Sequence, residues 1–327
     1  MNYRDCIYGN VSIKEPVVID IINCTSFQRL KDIDLGGYIE PYFPNATQSR
    51  FEHSIGVFLL LHKYGASLPE QIAGLIHDMS HSVFSHCIDY VLSEGSEEKH
   101  NHQDNIFETF ITETEIPSIL KKYGIDLSYV LNDKNFPLKE RELPELCADR
   151  IEYALRCAVN FEEISIKEAK LILNHLKVKD QTWFFDDFSY AEQYAEIFLR
   201  LNTEYFASLL SAVMYRTVGD YLGYGLKKKF ISKDDLYTTD PVILEKLFCF
   251  HKEDLCLQKL YNRMTRKTDC YNNPHDYEVV VKCKSRMVDP LCYHHANLIP
   301  ISEIKSKWCN ILKEESTPKT YYLKFDD

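Results

Sequence analysis

The chain has 327 residues, of which 45% are apolar and 27% charged, and its net charge is −11. Such a balance fits a globular protein with a sizeable core, and 22 tyrosines, 18 phenylalanines and only 11 glycines argue against extended disorder. The acidic balance argues against a general nucleic-acid-binding surface, leaving room only for a small basic pocket.

Residues 1–22 begin with short apolar pairs broken by Gly9-Asn10 and Glu15-Pro16, and Val17–Ile22 reads as a helix start. Thr25-Ser26 resembles an N-cap before Phe27–Ile33. Gly36-Gly37 stops that helix, and Pro41–Asn45 is a loop with two prolines. A helix starts near Arg50 and carries Phe51, Ile55, Phe58, Leu59 and His62. Pro69 opens the next one. The longest apolar run, Val57–Leu61, is far too short to span a bilayer.

Residues 93–105 are polar and loop-like, Ile106–Tyr123 is helical, and 124–142 is a surface excursion. Leu143, Leu146, Cys147, Ile151, Ala154, Leu155 and Ala158 form one helical stripe. Ser165–Leu176 is another helix, and Tyr190–Leu226 makes one or two long ones. After about Asp240 the texture changes. Asp276–Lys284 is β-branched and partly alternating, which predicts a strand, and Tyr321–Phe325 suggests another. The expected fold is mainly α: a helical domain over 1–240, then a small α+β region over 241–327. Eleven scattered cysteines contain no C-x-x-C pair, and no apolar segment follows Met1-Asn2-Tyr3-Arg4-Asp5. Reduced thiols and a cytoplasmic location are therefore expected.

The chemistry concentrates between Ala73 and Asp89. Ile72, Leu75, Ile76 and Met79 repeat at helical spacing, which predicts that the stretch begins as a helix with a buried face, with His77 and His81 on one side of it. Three histidines and two aspartates fall between His77 and Asp89. A buried helix needs partners for that much polar chemistry, and a metal is the simplest single one. His53 and Asp149, on other predicted helices, would join His77 and Asp78 as ligands. An octahedral ion would then keep positions for water or a substrate oxygen. Such donors suit one divalent transition metal (Fe, Mn, Ni, Co or Zn) rather than Ca or Mg alone.

His81, His86, Asp89 and His102 could supply proton transfer and charge stabilisation nearby. Arg50 and Arg150 present guanidinium groups suited to phosphate. Singly, each residue has a plainer reading: a core histidine with a hydrogen bond, a capping aspartate, a salt-bridged arginine. Spacing alone leaves both readings open.

The order His53 … His77-Asp78 … Asp149 resembles the H…HD…D signature of the HD-domain metal-dependent phosphohydrolases. Thr25–Leu30, Phe43–Val57 and Ile72–Asp78 with Phe84-Ser85-His86 resemble the branch that contains the deoxynucleoside-triphosphate triphosphohydrolases. Lys284–Pro290 resembles a strand segment of that branch's C-terminal region. The resemblance implies an HD-domain helical bundle with His53, His77, Asp78 and Asp149 as metal ligands. It implies a catalytic layer of His81, His86, Asp89 and His102, with His86–Asp89 as proton shuttle. Arg50 matches a phosphate-contacting arginine. Tyr153 matches a tyrosine that packs on the nucleotide sugar. The implied reaction is attack of water at the α-phosphorus of a deoxynucleoside triphosphate, which could bring Mg with it. The implied assembly is a homo-oligomer.

Four positions depart from the branch. Cys157 stands where the nucleotide enzymes carry an aspartate for the sugar 3′-hydroxyl. Ile33-Asp34-Leu35-Gly36 lacks the usual glutamine. Tyr205-Phe206-Ala207 replaces a Tyr-x-His that helps hold the triphosphate, and Ser80 replaces a glycine. Other phosphate esters, and nucleotide sensing without turnover, therefore stand as alternatives.

Overall fold

The computed structural model describes residues 1–295 and 297–327. It opens on an antiparallel hairpin of β1 (Asn2–Asp5) and β2 (Gly9–Ser12), with Gly9 at φ +77°. α1 (Pro16–Asn23) has its proline at the helix start and buries Val17, Val18, Ile21 and Ile22. α2 (Thr25–Gln28) tightens into a 3-10 turn over Arg29–Asp32. The N-cap is Cys24 rather than Thr25 or Ser26. Glu115, distant in sequence, accepts from the Thr25 amide and the Ser26 hydroxyl.

α3 (Arg50–Lys63) starts from a full capping box between Ser49 and Glu52. It packs on α4 (Leu68–Ile76), where a Cβ at Gly74 would run into Leu61. α5 (His102–Thr112) and α6 (Ile116–Lys122) replace the single helix expected over Ile106–Tyr123, with Pro117 starting the second. α7 (Leu127–Leu131) puts Val130 of the expected surface excursion into the core. α8 (Ala148–Asn160) begins later than its apolar stripe, from an N-cap at Cys147. α9 (Ile166–His175) carries a second capping box and leads into β3 (Leu176–Lys179) and β4 (Thr182–Phe185), a hairpin with no clear alternation in sequence.

α10 (Phe188–Arg200) continues into a π-helical stretch over Leu201–Phe206, before α11 (Leu209–Lys227), α12 (Asp240–Phe248) and α13 (Leu255–Met264). β5 (Cys270–Asn272), β6 (Val279–Cys283), β7 (Leu291–His294), β8 (Asn297–Pro300), α14 (Ile301–Ile304), α15 (Ser306–Glu315) and β9 (Lys319–Phe325) complete the chain. β9 lies between β5 and β6 in an antiparallel sheet. A second sheet has the order β3-β4-β7-β8, with β4 and β7 parallel at Phe185 and Cys292. Met287, Val288, Cys292, Ile301 and Trp308 share a core with Leu173, Trp183 and Phe198. The protein is thus mainly α, with a small α+β C-terminal part.

α3 is buried on two fronts. Val57, Leu60 and Leu61 face the core around α8, while Ile55, Phe58 and Leu59 face that of α1 and α4. This double burial fixes the rotation of α3 and sets Arg50 and His53 between α4 and α8. No helix among the described residues is long and apolar enough to cross a membrane.

Candidate active site

α4 ends at Ile76, and His77 is its C-cap. The residues that follow form turns, so His77 and His81 do not share a helix face as their spacing predicts. Met79 repeats at helical spacing because the turn itself is buried: Met79, Ser80, Ser82, Val83 and Phe84 are fully enclosed. A buried turn must satisfy its backbone groups from elsewhere. The Arg29 guanidinium donates to the Met79 and His81 carbonyls, both at 2.8 Å. The Asp240 carboxylate accepts from the Phe84 amide at 2.7 Å and the Asp34 amide at 2.9 Å. Phe84 and Ser85 have φ of +54° and +48°, a strained pair immediately before His86. Ser85 donates to the Asp34 carbonyl and accepts from Arg50 Nε, which holds the pair in place.

Around this turn, one ligand atom each from His53, His77 and Asp149 lies within 4.8 Å of the others. His53 Nδ1 is 2.5 Å from the Glu152 carboxylate, leaving Nε2 to face Asp149 at 2.9 Å. His77 Nδ1 donates to the Gly74 carbonyl at 2.7 Å, and its buried Nε2 has no hydrogen-bond partner. That orphaned nitrogen is 3.4 Å from both the Asp78 and Asp149 carboxylates. Two histidines with one nitrogen committed and the other aimed at shared carboxylates form a donor set that fits a divalent metal. Asp78 borders the cluster, with Oδ2 3.6 Å from His53 Nε2 and 2.5 Å from the Arg50 guanidinium.

Burial alone would depress the His53 pKa, but bonds to Asp149 and Glu152 raise it to about 10. Against the cost of burial, His53 and His77 hold Asp149 well below the usual carboxylate range. Without metal, the cluster is therefore a charged knot that draws a proton. Glu140, Cys147 and Asp149 also lie close together. The Arg150 guanidinium stands among them, 3.2 Å from Cys147 Sγ and 3.6 Å from Glu140, so this corner already holds a cation.

His81 Nε2 is 3.3 Å from Asp78, and burial followed by Arg50 pushes its pKa down to about 4. His86 Nδ1 is 3.4 Å from Asp89, whose other oxygen accepts from the His102 amide. The His102 ring turns elsewhere: its Nε2 is 3.0 Å from the Tyr237 hydroxyl, and the residue does not line the cavity at the metal cluster. His100 takes that place, stacked on His86 with ring centroids 4.9 Å apart. In sequence both belong to one polar loop, and spacing gives no reason to prefer His100.

The cavity over the cluster has a volume of about 420 Å³. Arg50 is on its wall but commits three donors, to Ser85, Asp78 and the Leu35 carbonyl, and so first positions Asp78. Arg150 likewise donates to the Glu145 and Arg141 carbonyls. The Tyr153 ring lies between His53 and Phe206, with centroids 6.4 and 5.7 Å away. Cys157 Sγ accepts from Gln48 Nε2 at 2.9 Å, and burial pushes the thiol up to about 12. Tyr205 donates to Glu163 and stacks on Phe161 at 3.9 Å. Lys284 and Arg286 line the cavity too. The sequence places them in a segment, Lys284–Pro290, that resembles a strand of the family branch, but gives no sign that they face the cluster; β6 itself ends at Cys283. Gln48 falls inside the Phe43–Val57 resemblance and Glu152 between Asp149 and Tyr153, yet nothing in the sequence marks the role of either.

Residues 50–151 match the HD domain family. The uncharacterized protein YdhJ of Bacillus subtilis (strain 168) is 33% identical over 308 residues, covering 94% of this chain and 93% of its own. The metal-dependent phosphohydrolase cns2 of Cordyceps militaris is 37% identical over 174 residues, 53% of this chain and 50% of cns2. Human deoxynucleoside triphosphate triphosphohydrolase SAMHD1 is 35% identical over 144 residues, 37% of this chain and 22% of that protein. The matches thus span half or less of the length of the latter two relatives. A phosphohydrolase from Bacteroides thetaiotaomicron shares the fold over the full length of both chains, with a TM-score of 0.75 at 17% identity. The HD-domain match, the cns2 relative and the His–Asp cluster together place the protein among the metal-dependent phosphohydrolases of HD type. The chain belongs to the HD-domain phosphohydrolase family, in a branch resembling the deoxynucleoside-triphosphate triphosphohydrolases.

Proposed function

We propose that the protein hydrolyses a deoxynucleoside triphosphate at the α-phosphorus. One observation carries this reading: a single cavity joins the His53–His77–Asp149 cluster, the buried His81 and His86, the cations Arg150, Lys284 and Arg286, and the aromatic wall of Phe43, Phe161, Tyr205 and Phe206. A divalent metal on these ligands would activate water and polarise a phosphoryl oxygen. The names of the SAMHD1 relatives supply the substrate class. In this reading His53, His77, Asp78 and Asp149 bind the metal, and Glu152 and the Gly74 carbonyl fix the two imidazoles. Burial disfavours the charged forms of His81 and His86, so both rings are neutral before the reaction and keep a ring nitrogen as acceptor. Asp89 orients His86, Arg50 holds Asp78, and Arg150 and Tyr153 face the substrate.

A second reading, release of orthophosphate from a smaller phosphate ester, is favoured by one feature. Cys157 is bonded to Gln48 and Tyr205 to Glu163, where the resembling enzymes bind sugar and distal phosphates. Product analysis separates the two. The protein is loaded with Mn, Fe, Co, Ni or Zn and incubated with deoxynucleoside triphosphates and with phosphate monoesters. Inorganic triphosphate with deoxynucleoside supports the first reading. Orthophosphate alone supports the second, and metal-loaded protein with no turnover overturns both.

A further inference from the structure

We propose that Lys284 and Arg286 form a clamp for a chain of phosphates, supplied to the active-site cavity by the C-terminal part of the chain. The proposal rests on the phosphohydrolase reading and names the group of the substrate that these residues hold.

Its basis is a strand-like alternation that continues past the end of β6. Cys283, Ser285 and Met287 are buried, while Lys284 and Arg286 between them are half-buried and line the cavity. In extended chain successive side chains point to opposite sides. The core-facing side is anchored firmly. Ser285 donates to the Glu315 carbonyl at 2.5 Å and accepts from Asn202 Nδ2 at 2.8 Å. The Asn202 side-chain oxygen also accepts from the Arg286 amide at 2.8 Å. Asn202 lies in the π-helical stretch between α10 and α11, and Glu315 ends α15. Two separate elements therefore fix the register that turns Lys284 and Arg286 inward.

Neither cation is paired among the described residues: no hydrogen bond or ion pair of the Lys284 ammonium or the Arg286 guanidinium is formed. The other cations on the cavity wall are engaged: Arg50 with Asp78, Lys139 with Asp133, Arg150 with backbone carbonyls and Glu140. The wall's acids are mostly committed in the same pairs. Asp149 is held by His53 and His77 instead, and Asp104, which acts on Lys284 only through space, has its carboxyl raised by burial to about 6. Burial and then the neighbouring Arg286 lower the Lys284 pKa to about 8, as expected of an enclosed cation lacking a full counter-charge.

Two unpaired cations in a cavity call for an anion. Residues two apart on an extended strand stand about 7 Å apart. That separation suits successive phosphates of a di- or triphosphate better than one phosphate group. The placement is also independent of the metal cluster, because these residues arrive from the C-terminal part and not from α3, α4 or α8.

The test measures binding of inorganic triphosphate and of orthophosphate by calorimetry, on the full chain, both EDTA-treated and manganese-loaded. The variants are Lys284→Gln, Arg286→Gln, the conservative Lys284→Arg, and the control Lys282→Gln. Lys282 is exposed and pairs with Glu98, so its variant makes the same charge change outside the cavity. Triphosphate is expected to bind the parent at least tenfold more tightly than orthophosphate. Lys284→Gln and Arg286→Gln should each weaken triphosphate at least tenfold and orthophosphate less than threefold, with melting temperatures close to the parent's. Lys284→Arg and Lys282→Gln should bind as the parent does. Equal affinity of the parent for the two anions overturns the proposal, as does parent-like triphosphate binding by both glutamine variants. Because binding is read without turnover, the two conclusions can fail separately. Triphosphate binding without triphosphate hydrolysis would remove the proposed reaction and keep the clamp. Hydrolysis indifferent to both substitutions would do the reverse.

Discussion

The Glu152 carboxylate stands 2.5 Å from His53 Nδ1, and Arg156 Nε donates to its other oxygen at 2.6 Å. Arg156 in turn reaches Asp5, at 2.8 Å, so the N-terminal hairpin is tied to the cluster through two buried side chains. Gly56 makes room for this chain, since a Cβ there would run into the Glu152 carboxylate. A carboxylate behind a ligating histidine fixes the ring and makes its free nitrogen a better donor. Glu152→Gln keeps the size and removes the charge. It should lower metal affinity about 10- to 100-fold, measured by competition with a coloured chelator. Parent-like affinity would show that Glu152 only fills space.

The His86–His100 stack makes a second prediction. The two planes are 28° apart, and the Tyr90 hydroxyl is 3.2 Å from His100 Nε2. His86→Ala should lower kcat by about 10²–10⁴-fold, the usual range for a proton-transferring group. His100→Ala should cost about tenfold, equivalent to about 1.4 kcal/mol of lost positioning. His102→Ala should stay within about twofold, because its ring faces Tyr237. Comparing kcat at unchanged metal content checks this. A larger loss in His102→Ala than in His100→Ala would return the catalytic role to His102.

The sequence was legible where a pattern has a single physical cause. The apolar repeats around Ile55 and Ile151 mark real helices, α3 and α8, and the β-branched run at Val279–Val281 is β6. It misled where two causes give one pattern. Ile72–Met79 repeats like a helix, yet the last part is a turn whose burial depends on Arg29 and Asp240, from distant segments. The H…HD…D order pointed to residues that the fold brings together at His53, His77 and Asp149. The partners of those residues were not legible, because burial of Glu152 or stacking of His100 is decided only by packing.

Cys157 gives a prediction about specificity. Its thiol, pushed up to about 12 by burial, offers no negative charge to a sugar hydroxyl and is already bonded to Gln48. With triphosphate substrates the parent should therefore treat a 2′-deoxynucleotide and its 2′,3′-dideoxy analogue alike in kcat/KM, within about threefold. Cys157→Asp places an acceptor there. A hydrogen bond to a charged group contributes about 1.5–3 kcal/mol, so the variant should prefer the 3′-hydroxyl by at least about tenfold. The buried carboxylate should also lower the melting temperature. Strong discrimination by the parent, or none gained by the variant, would mean that the sugar lies elsewhere.

Lys284 makes the last prediction, and here two measurements move in opposite directions with pH. Its pKa is lowered from 10.5 to about 8, first by burial and then by Arg286. Between those values the folded chain has lost a proton that the unfolded chain still binds. The contribution of this group to stability therefore rises as pH climbs from about 8 towards 10.5. Anion binding does the reverse, since the cation is present below about pH 8 and lost above it. A bound polyphosphate lifts the lysine pKa again, so the alkaline fall belongs to kcat/KM, which reports the free enzyme, rather than to kcat. Lys284→Arg, which stays charged throughout, should abolish that fall while retaining triphosphate affinity at pH 7. An alkaline limb of kcat/KM unchanged in Lys284→Arg would assign the titration to another group and leave Arg286 as the only cation on this strand that matters to binding.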